Sequence, residues 1–488
     1  MMRRVTAVSL LMALLVFSYG TGWVGQTRLS KDGSSYNVNP CVAIDEAGTP
    51  WAIWHGYHAD TSLLFSSWGG HDWKTERGVV ADTPDAAINM QPSLAFDARS
   101  RAWLVWAKKI GNTNDIGSSI WTGTCWSPEI QVNLPDSTEL DFMPKVACGG
   151  GQVWCVWYGG PTDMSPYSVY ASRWNDDTGT WEPEMRVSPP DSTYHWWCDV
   201  AVDDQGTPHV VWCNSDRLLI CYSYYDGAGW RGPTAVNDTA AVGATGWAAP
   251  RIVVDHAGVL HVCYTGVAQG ATGRDIFYSR NDGTGWTPSA RVTSDTEPNY
   301  NEWFSDIAAD RDNNVWIAWD RQGEGTDQFR VYASHCDGIG WGPEERLDND
   351  SAHDDGGCSI CLDGLSNPWV LWTGKTYGTE RWDIYWNRYA DVGLGERPEH
   401  QEVGKGPAVH GSLSRGGLLN VEYDLPTATH VSLRLYDNSG RLVVGLAEGF
   451  EAAGRHKVNR GLSAPSGVYY CRLDACQTAA GCKIAYVK

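Results

Sequence analysis

Beyond its first 20 residues the sequence has no apolar run approaching the roughly 20 residues of a membrane-spanning helix, so the mature chain is expected to carry no membrane span of its own. Basic residues are scarce: 37 Lys and Arg stand against 58 Asp and Glu, a formal charge of -21. That deficit argues against nucleic acid or an anionic membrane as partner, because both select a basic footprint. No pair of CxxC units and no His/Cys cluster has the spacing of a zinc site, and Cys358-Ser359-Ile360-Cys361 stands alone. No metal and no cofactor is therefore expected. Phenylalanine is rare, with 8 against 27 Trp and 22 Tyr. This balance suits packed sheets with wet rims, since indole and phenol each carry a polar edge.

The apolar run that does occur, Val5 to Phe17, follows Arg3 and Arg4 and precedes Ser18-Tyr19-Gly20, the order of a signal peptide. Residues 1–20 are read as removed on export, with the mature chain beginning near Thr21 and secreted or held at the cell surface. That compartment permits disulfides, but of the 14 Cys, 11 precede residue 400 and 3 follow it, both odd numbers. Cys476 with Cys482, and Cys213 with Cys221, are spaced to pair across hairpins. Cys148, Cys155, Cys263 and Cys361 fall at apolar positions of the repeat described next and read as buried small hydrophobes.

One pattern organises most of the chain. Six copies place an Asp nine residues before an aromatic: Asp45 and Trp54, Asp97 and Trp106, Asp203 and Trp212, Asp255 and Tyr264, Asp310 and Trp319, Asp363 and Trp372. A seventh ends at Trp157, with Gly149-Gly150-Gly151 in place of the Asp turn, and successive end residues are 52, 51, 55, 52, 55 and 53 apart. Each copy reads as strand, turn, strand: a Pro-x-h-Ala-h-Asp strand such as Pro92 to Asp97, then aromatic-h-h-aromatic such as Trp103 to Trp106. His209 and His261 occupy the first aromatic position and read as packing substitutes. A third strand and a Trp-opened fourth follow, giving seven four-stranded units in the period range of propellers. The last unit lacks its fourth strand. Gly22 to Leu29 matches Gly340 to Leu347, so the N-terminal strand is expected to close the ring by pairing near Trp382 to Tyr389, which removes the sheet edges. The expected architecture is all-β: a seven-bladed β-propeller over 21–391, a linker over 392–411 and a small β-sandwich over 412–488.

The turns between third and fourth strands, Ser279-Arg280-Asn281-Asp282-Gly283-Thr284-Gly285-Trp286 and its counterparts Ser334 to Trp341, Ser223 to Trp230 and Ser119 to Trp126, resemble the Asp-box repeat of sialidases and related propellers. Over residues 22 to 390 the resemblance implies the propeller fold, with the box as a structural turn on the face opposite the ligand site. In that family an arginine triad, a Tyr nucleophile with its Glu, and an Asp acid/base do the chemistry, and the first arginine stands in Arg-Ile-Pro. That string does not occur here; the nearest is Arg251-Ile252-Val253. The C-terminal segment, through Leu425-Pro426, Val431 to Asp437, Gly440 to Val443, Ala453-Gly454 and Ser466 to Tyr470, resembles the Ig-like tails of exported bacterial proteins, including type IX secretion sorting domains and the FlgD-like Ig fold. This implies the secretion machinery as a partner.

Function is sought on the propeller face where first strands begin. Four consecutive units place charges at one position there, Lys145, Asp199, Arg251 and Asp306, where the other three carry Cys41, Ser93 and Ser359. Upstream lie Asp141-Phe142, Trp196-Trp197, Trp247, Glu302-Trp303 and Asp354-Asp355. Aromatic faces beside polar groups suit sugar rings. The four alternating charges read either as a structural ring of ion pairs or as a polar pocket. As a pocket, the ligand-binding set is Lys145, Trp197, Asp199, Arg251, Trp303 and Asp306, with a glycan or an extracellular protein as ligand. The alternatives are a glycoside hydrolase or lyase, using two of Asp199, Glu302, Asp306, Asp141 and Asp354 as acid and base, and a structural surface scaffold.

Overall fold

The indoles and β-branched residues of the repeat have strong strand preference, and every regular element among the described residues is a strand. The computed structural model describes residues 20–392 and 408–486 apart from short segments, the longest being 80–87 and 294–300. Among the described residues there is no helix. The signal-peptide reading and Trp247 lie outside the described residues. The described residues divide into two compact units, one within 21–390 and one within 391–488.

In the first unit the strands form antiparallel meanders hydrogen-bonded in chain order. One runs His195–Val202, Pro208–Asn214, Leu219–Tyr225, Trp230–Ala235; another runs Asn301–Ala309, Val315–Gln322, Phe329–Cys336, Glu345–Arg346. The meanders starting at Ile88–Phe96 and at Glu139–Gly149 are joined into one sheet by a single parallel pairing, Leu140 with Asn114. The last meander, His353–Leu362, Pro368–Thr376, Trp382–Val392, takes its outer strand from the chain start. Thr27 pairs with Trp386 and Arg28 with Tyr385, and the amides of Val24 and Leu29 donate to the carbonyls of Arg388 (3.0 Å) and Ile384 (2.7 Å). The core confirms that the ring shuts: one apolar cluster joins Leu29, Val42 and Trp54 to Trp369 and Trp386. The fold of this unit is thus all-β and propeller-like.

The repeat signature has three physical causes. The aromatic that ends the second strand is buried in every copy, and its indole N–H requires an acceptor once dry. In four copies a polar residue 17 positions earlier supplies it: Asn37 for Trp54 (3.0 Å), Asn89 for Trp106 (2.8 Å), His195 for Trp212 (2.9 Å) and Asp355 for Trp372 (3.1 Å). The turn Asp caps its own turn amides and takes the N–H of the first Trp, as Asp97 does from Trp103 at 3.0 Å. His209 and His261 reproduce this with Nε2 on Asp203 and Asp255, and each stacks on a Tyr ring. The Ser of the third strand donates to the carbonyl eight residues on, Ser119 to Ser127, Ser279 to Thr287 and Ser334 to Gly342. The copy without the Asp turn has its own reason: a Cβ on Gly150 would lie 2.2 Å from the Gly206 amide nitrogen, so the neighbouring turn leaves room for glycine alone.

Of the cysteine readings, Cys213 with Cys221 is corrected. Cys213 sits opposite Ile220 and Cys221 opposite Trp212, and the two thiols enter different core clusters. Neither is in a disulfide, and Cys155 and Cys263, also outside any disulfide, are fully buried. Cys476 lies outside the described residues.

In the second unit a three-stranded sheet, Ala408–Leu413, Leu418–Leu425, Gly454–Gly461, and a four-stranded sheet, Leu442–Glu451, Thr429–Asp437, Gly467–Ala475, Thr478–Tyr486, share one core of Leu419, Val421, Tyr423, Val431, Leu433 and Leu473. Its first strand starts at Ala408, inside the stretch expected to be linker.

Candidate functional site

The site is made by a kink that recurs in each first strand. Asn39, Gln91, Met143, Trp197, Ala249, Phe304 and Gly357 all have φ between 22° and 68°, each two residues before a position of the expected charge ring. In six of the seven the sheet register slips across the kink, for example between Phe142 and Lys145 and between Trp303 and Ser305. This is a β-bulge. A left-handed conformation is uncommon for Trp, Phe and Met, and costs of order 1–3 kcal/mol each where the fold enforces it. The bulge turns side chains that would alternate across the sheet toward the centre of the ring.

The ring residues after the bulge have two different jobs. Those with an acceptor tie one meander to the next: Ser93 takes the amide of Val146 (3.2 Å), Asp199 that of Ile252 (3.0 Å), Asp306 that of Ile360 (2.9 Å), and Ser359 that of Val42 (3.3 Å). Cys41 is bonded in the same way by the backbone of Leu94. Lys145 and Arg251 cannot accept, so they contribute nothing to this latch. Arg251 approaches Asp306, Nε to Oδ1, at 3.6 Å, beyond a good hydrogen bond, and its Nη1 reaches the Pro250 carbonyl at 3.4 Å. For Lys145 no carboxylate oxygen among the described residues lies within 4.0 Å of Nζ. Thus the carboxylates are committed to backbone amides while the cations keep most of their donors.

Those donors face a cavity of about 470 Å³ lined by residues from all the first strands, among them Lys145, Arg251, Asp306, Trp197, Phe304, Phe329, Trp382 and Tyr36. Its volume lies in the range that takes a sugar-sized ligand. Trp197 and Phe304 pack ring to ring at 5.5 Å and form one apolar wall. Burial pulls the Lys145 amine below its usual range, and Arg251 pulls the same way, against Asp199, Cys41 and Asp306. Burial also raises the Asp199 carboxyl, opposed by Arg251 and Lys145.

Of the expected binding residues, the structure brings Lys145, Trp197, Arg251 and Asp306 to the cavity wall. Asp199 does not line it; its carboxylate is used on the Ile252 amide. Trp303 is turned away by the bulge and lies under the Arg274 guanidinium at 3.9 Å, leaving Phe304 at the wall. The alternative acid Glu302 is fully buried and ion-paired with Arg321 (2.6 Å), which also bonds Glu344. Asp141 accepts from Asn133 (2.7 Å) and Asp354 from the Phe329 amide (2.6 Å), both off the cavity.

One side chain of the cavity lining was missed. Asp320 lines the cavity, 2% exposed, with Oδ2 on the Gly357 amide (2.6 Å) and Oδ1 buried without a partner. Burial raises its carboxyl from the ordinary 3.8 to about 7, offset in part by the bonds from Gly357 and Cys358. The signal was present: aligned on the aromatic that ends the second strand, the next residue is His55, Ala107, Tyr158, Cys213, Thr265, Asp320 and Thr373, with a carboxylate in one copy alone. Among the described residues no group of three or more His, Cys, Asp or Glu is set to hold a metal.

No protein-family model and no curated protein matches the chain. Among solved structures it is similar to a fungal alcohol oxidase in complex with copper, at 11% identity and TM-score 0.50 over 96% of this chain and 100% of that one. It is also similar to a polysaccharide lyase (10%, TM-score 0.46, 74% and 92%) and to a sialidase from Streptococcus pneumoniae (11%, TM-score 0.43, 74% and 70%). At such identities the likeness to the oxidase is one of fold.

Proposed function

We propose that this chain is an exported, seven-bladed β-propeller whose central cavity binds a glycan, delivered to the cell surface or medium with a C-terminal sorting-type domain. The observation that carries the reading is the imbalance of hydrogen-bonding capacity at the cavity. Arg251 brings five donors and Lys145 two or three according to its protonation, most of them unengaged, whereas the Asp306 carboxylate is held by the amides of Ile307 and Ile360. A ligand rich in acceptor oxygens, with an apolar ring face for Trp197 and Phe304, complements that lining. The seven bladelike repeats and the seven positive-φ kinks support the blade count. The apolar run after Arg3 and Arg4 and the sequence of the tail support export.

A hydrolase or lyase is the second reading, favoured by one observation: a carboxyl titrating at about 7, Asp320, shares the cavity with Asp306. Two carboxyl groups in unlike environments are what acid and base roles require. In that reading Asp306, one of the expected acids, keeps its role and Asp320 joins it in place of Asp199, Glu302, Asp141 or Asp354. A glycan array probed with the mature chain, followed by product analysis of each bound glycan, tests both. Saturable binding without products supports the first reading, and release of shortened glycans supports the second. An array blank at high protein concentration contradicts both.

A further inference from the structure

We propose that Lys145 is a carbonyl-reactive amine, whose Nζ forms an imine with an aldehyde or ketone carbon of a molecule in the central cavity while Asp320 relays the protons. The inference uses the same cavity as the glycan reading but does not depend on glycan affinity.

The placement of Lys145 differs from that of Lys108 and Arg321, two other part-buried cations. Lys108 has Glu129 at 2.9 Å and Arg321 has Glu302 at 2.6 Å, whereas Lys145 has no carboxylate oxygen within 4.0 Å among the described residues. It emerges directly after the Met143 bulge onto a wall shared with Pro144, Trp197 and Phe304. A permanent guanidinium, Arg251, lines the same cavity. An amine drawn out of water beside a second cation is the arrangement that frees a lysine lone pair near neutral pH. The depressed amine, with burial its largest cause and Arg251 acting in the same sense, agrees with that geometry.

Imine formation needs a proton carrier, and Asp320 is the carboxyl of the same cavity lining whose Oδ1 is buried without a hydrogen-bond partner. The neutral amine attacks the carbonyl carbon, the N–C bond forms, and the carbonyl electron pair moves to oxygen. The oxygen gains the proton that nitrogen loses, giving a carbinolamine. Asp320 then protonates the hydroxyl, the C–O bond breaks and water leaves. The nitrogen gives up its remaining proton to the Asp320 carboxylate as the C=N bond is completed. Amine plus carbonyl becomes imine plus water, with Asp320 restored and no oxidant or reductant required. The fitting class is a small aldehyde or ketone with hydroxyl groups, such as the open-chain form of a short sugar, whose oxygens meet the Arg251 donors.

The test traps the imine. The full mature chain is incubated at pH 7 with glyceraldehyde and cyanoborohydride, and the extent of alkylation of each lysine is followed by peptide mass mapping. Lys145 is expected to be labelled at least tenfold faster than the exposed Lys31 and Lys74, and Asp320→Asn is expected to slow labelling at Lys145 without slowing it at the surface. Labelling of Lys145 at or below the rate of Lys31 and Lys74 overturns the proposal, and that result needs only the unaltered chain, so a poorly folding variant cannot obscure it. A blank glycan array with selective labelling of Lys145 removes the glycan reading alone. Glycan binding with an inert Lys145 removes this one alone.

Discussion

At the level of single residues, the charges that looked alike in sequence divide by what they touch. Asp199 serves the backbone, so Asp199→Ala leaves the Ile252 amide without an acceptor and is expected to destabilise by about 1–3 kcal/mol. Asp199→Asn keeps an acceptor and is expected to recover most of that, as read from urea denaturation midpoints. A second expectation concerns pH. The Asp141 carboxyl is raised by burial, with Glu139, Glu184 and Asp115 adding to the rise, from 3.8 to about 8, and Asp320 reaches about 7. Below pH 3.8 each is protonated in folded and unfolded chains alike. Above it the folded chain retains protons that the unfolded chain has lost, so stability falls as pH rises toward 8. His55, lowered by burial from 6.5 to about 4, acts in the opposite sense, but below pH 6.5. Lys145, lowered by burial, opposes this fall, so the Asp141 part is read by difference: between pH 6.5 and 8 the unaltered chain should lose stability relative to Asp141→Asn. A profile unchanged by the substitution contradicts the assignment.

At the level of elements, the strands were legible because their causes are local: an indole needs an acceptor, a tight turn needs an Asp cap, and both leave fixed spacings. The bulge was not legible. Nothing in Trp197 or Phe304 announces a left-handed backbone, since bulky residues avoid it and are held there by the surrounding sheet. That is why Trp303 was expected at the site and Phe304 was not, and why Asp199 was expected to face a ligand. The bulge also predicts a substitution pattern. At Asn39, φ 53°, Asn39→Gly should be nearly neutral, while a β-branched Asn39→Val should cost about 1–3 kcal/mol, measured by thermal melting. The closing strand offers another check. Without residues 20–30 the Trp382–Val392 edge is left unpaired, and an open edge recruits other strands. The shortened chain is expected to form soluble aggregates on size-exclusion chromatography, and a monodisperse monomer would show that closure is dispensable.

At the level of the whole molecule, the ring of meanders converges donors and aromatic faces on one cavity, and the carboxylates that could cancel those donors are diverted to hold the ring together. The count of repeats, the closing strand and the face bearing Lys145 and Arg251 were readable from periodicity, because a period of about 50 residues fixes which positions meet. Asp320 was readable in principle, by comparing the copies with one another instead of searching for a known catalytic string. The account stands on the claim that the unengaged donors serve a ligand and not the fold. The most direct measurement is calorimetric titration of the mature chain and of Lys145→Met with the tightest-binding glycan from the array, alongside their melting temperatures. The account predicts that Lys145→Met binds at least about tenfold more weakly, roughly 1.4 kcal/mol, and melts no lower than the unaltered chain, because it removes a buried charge that lacks a close ion pair. Unchanged affinity together with a lowered melting temperature would contradict it and return Lys145 to a structural role.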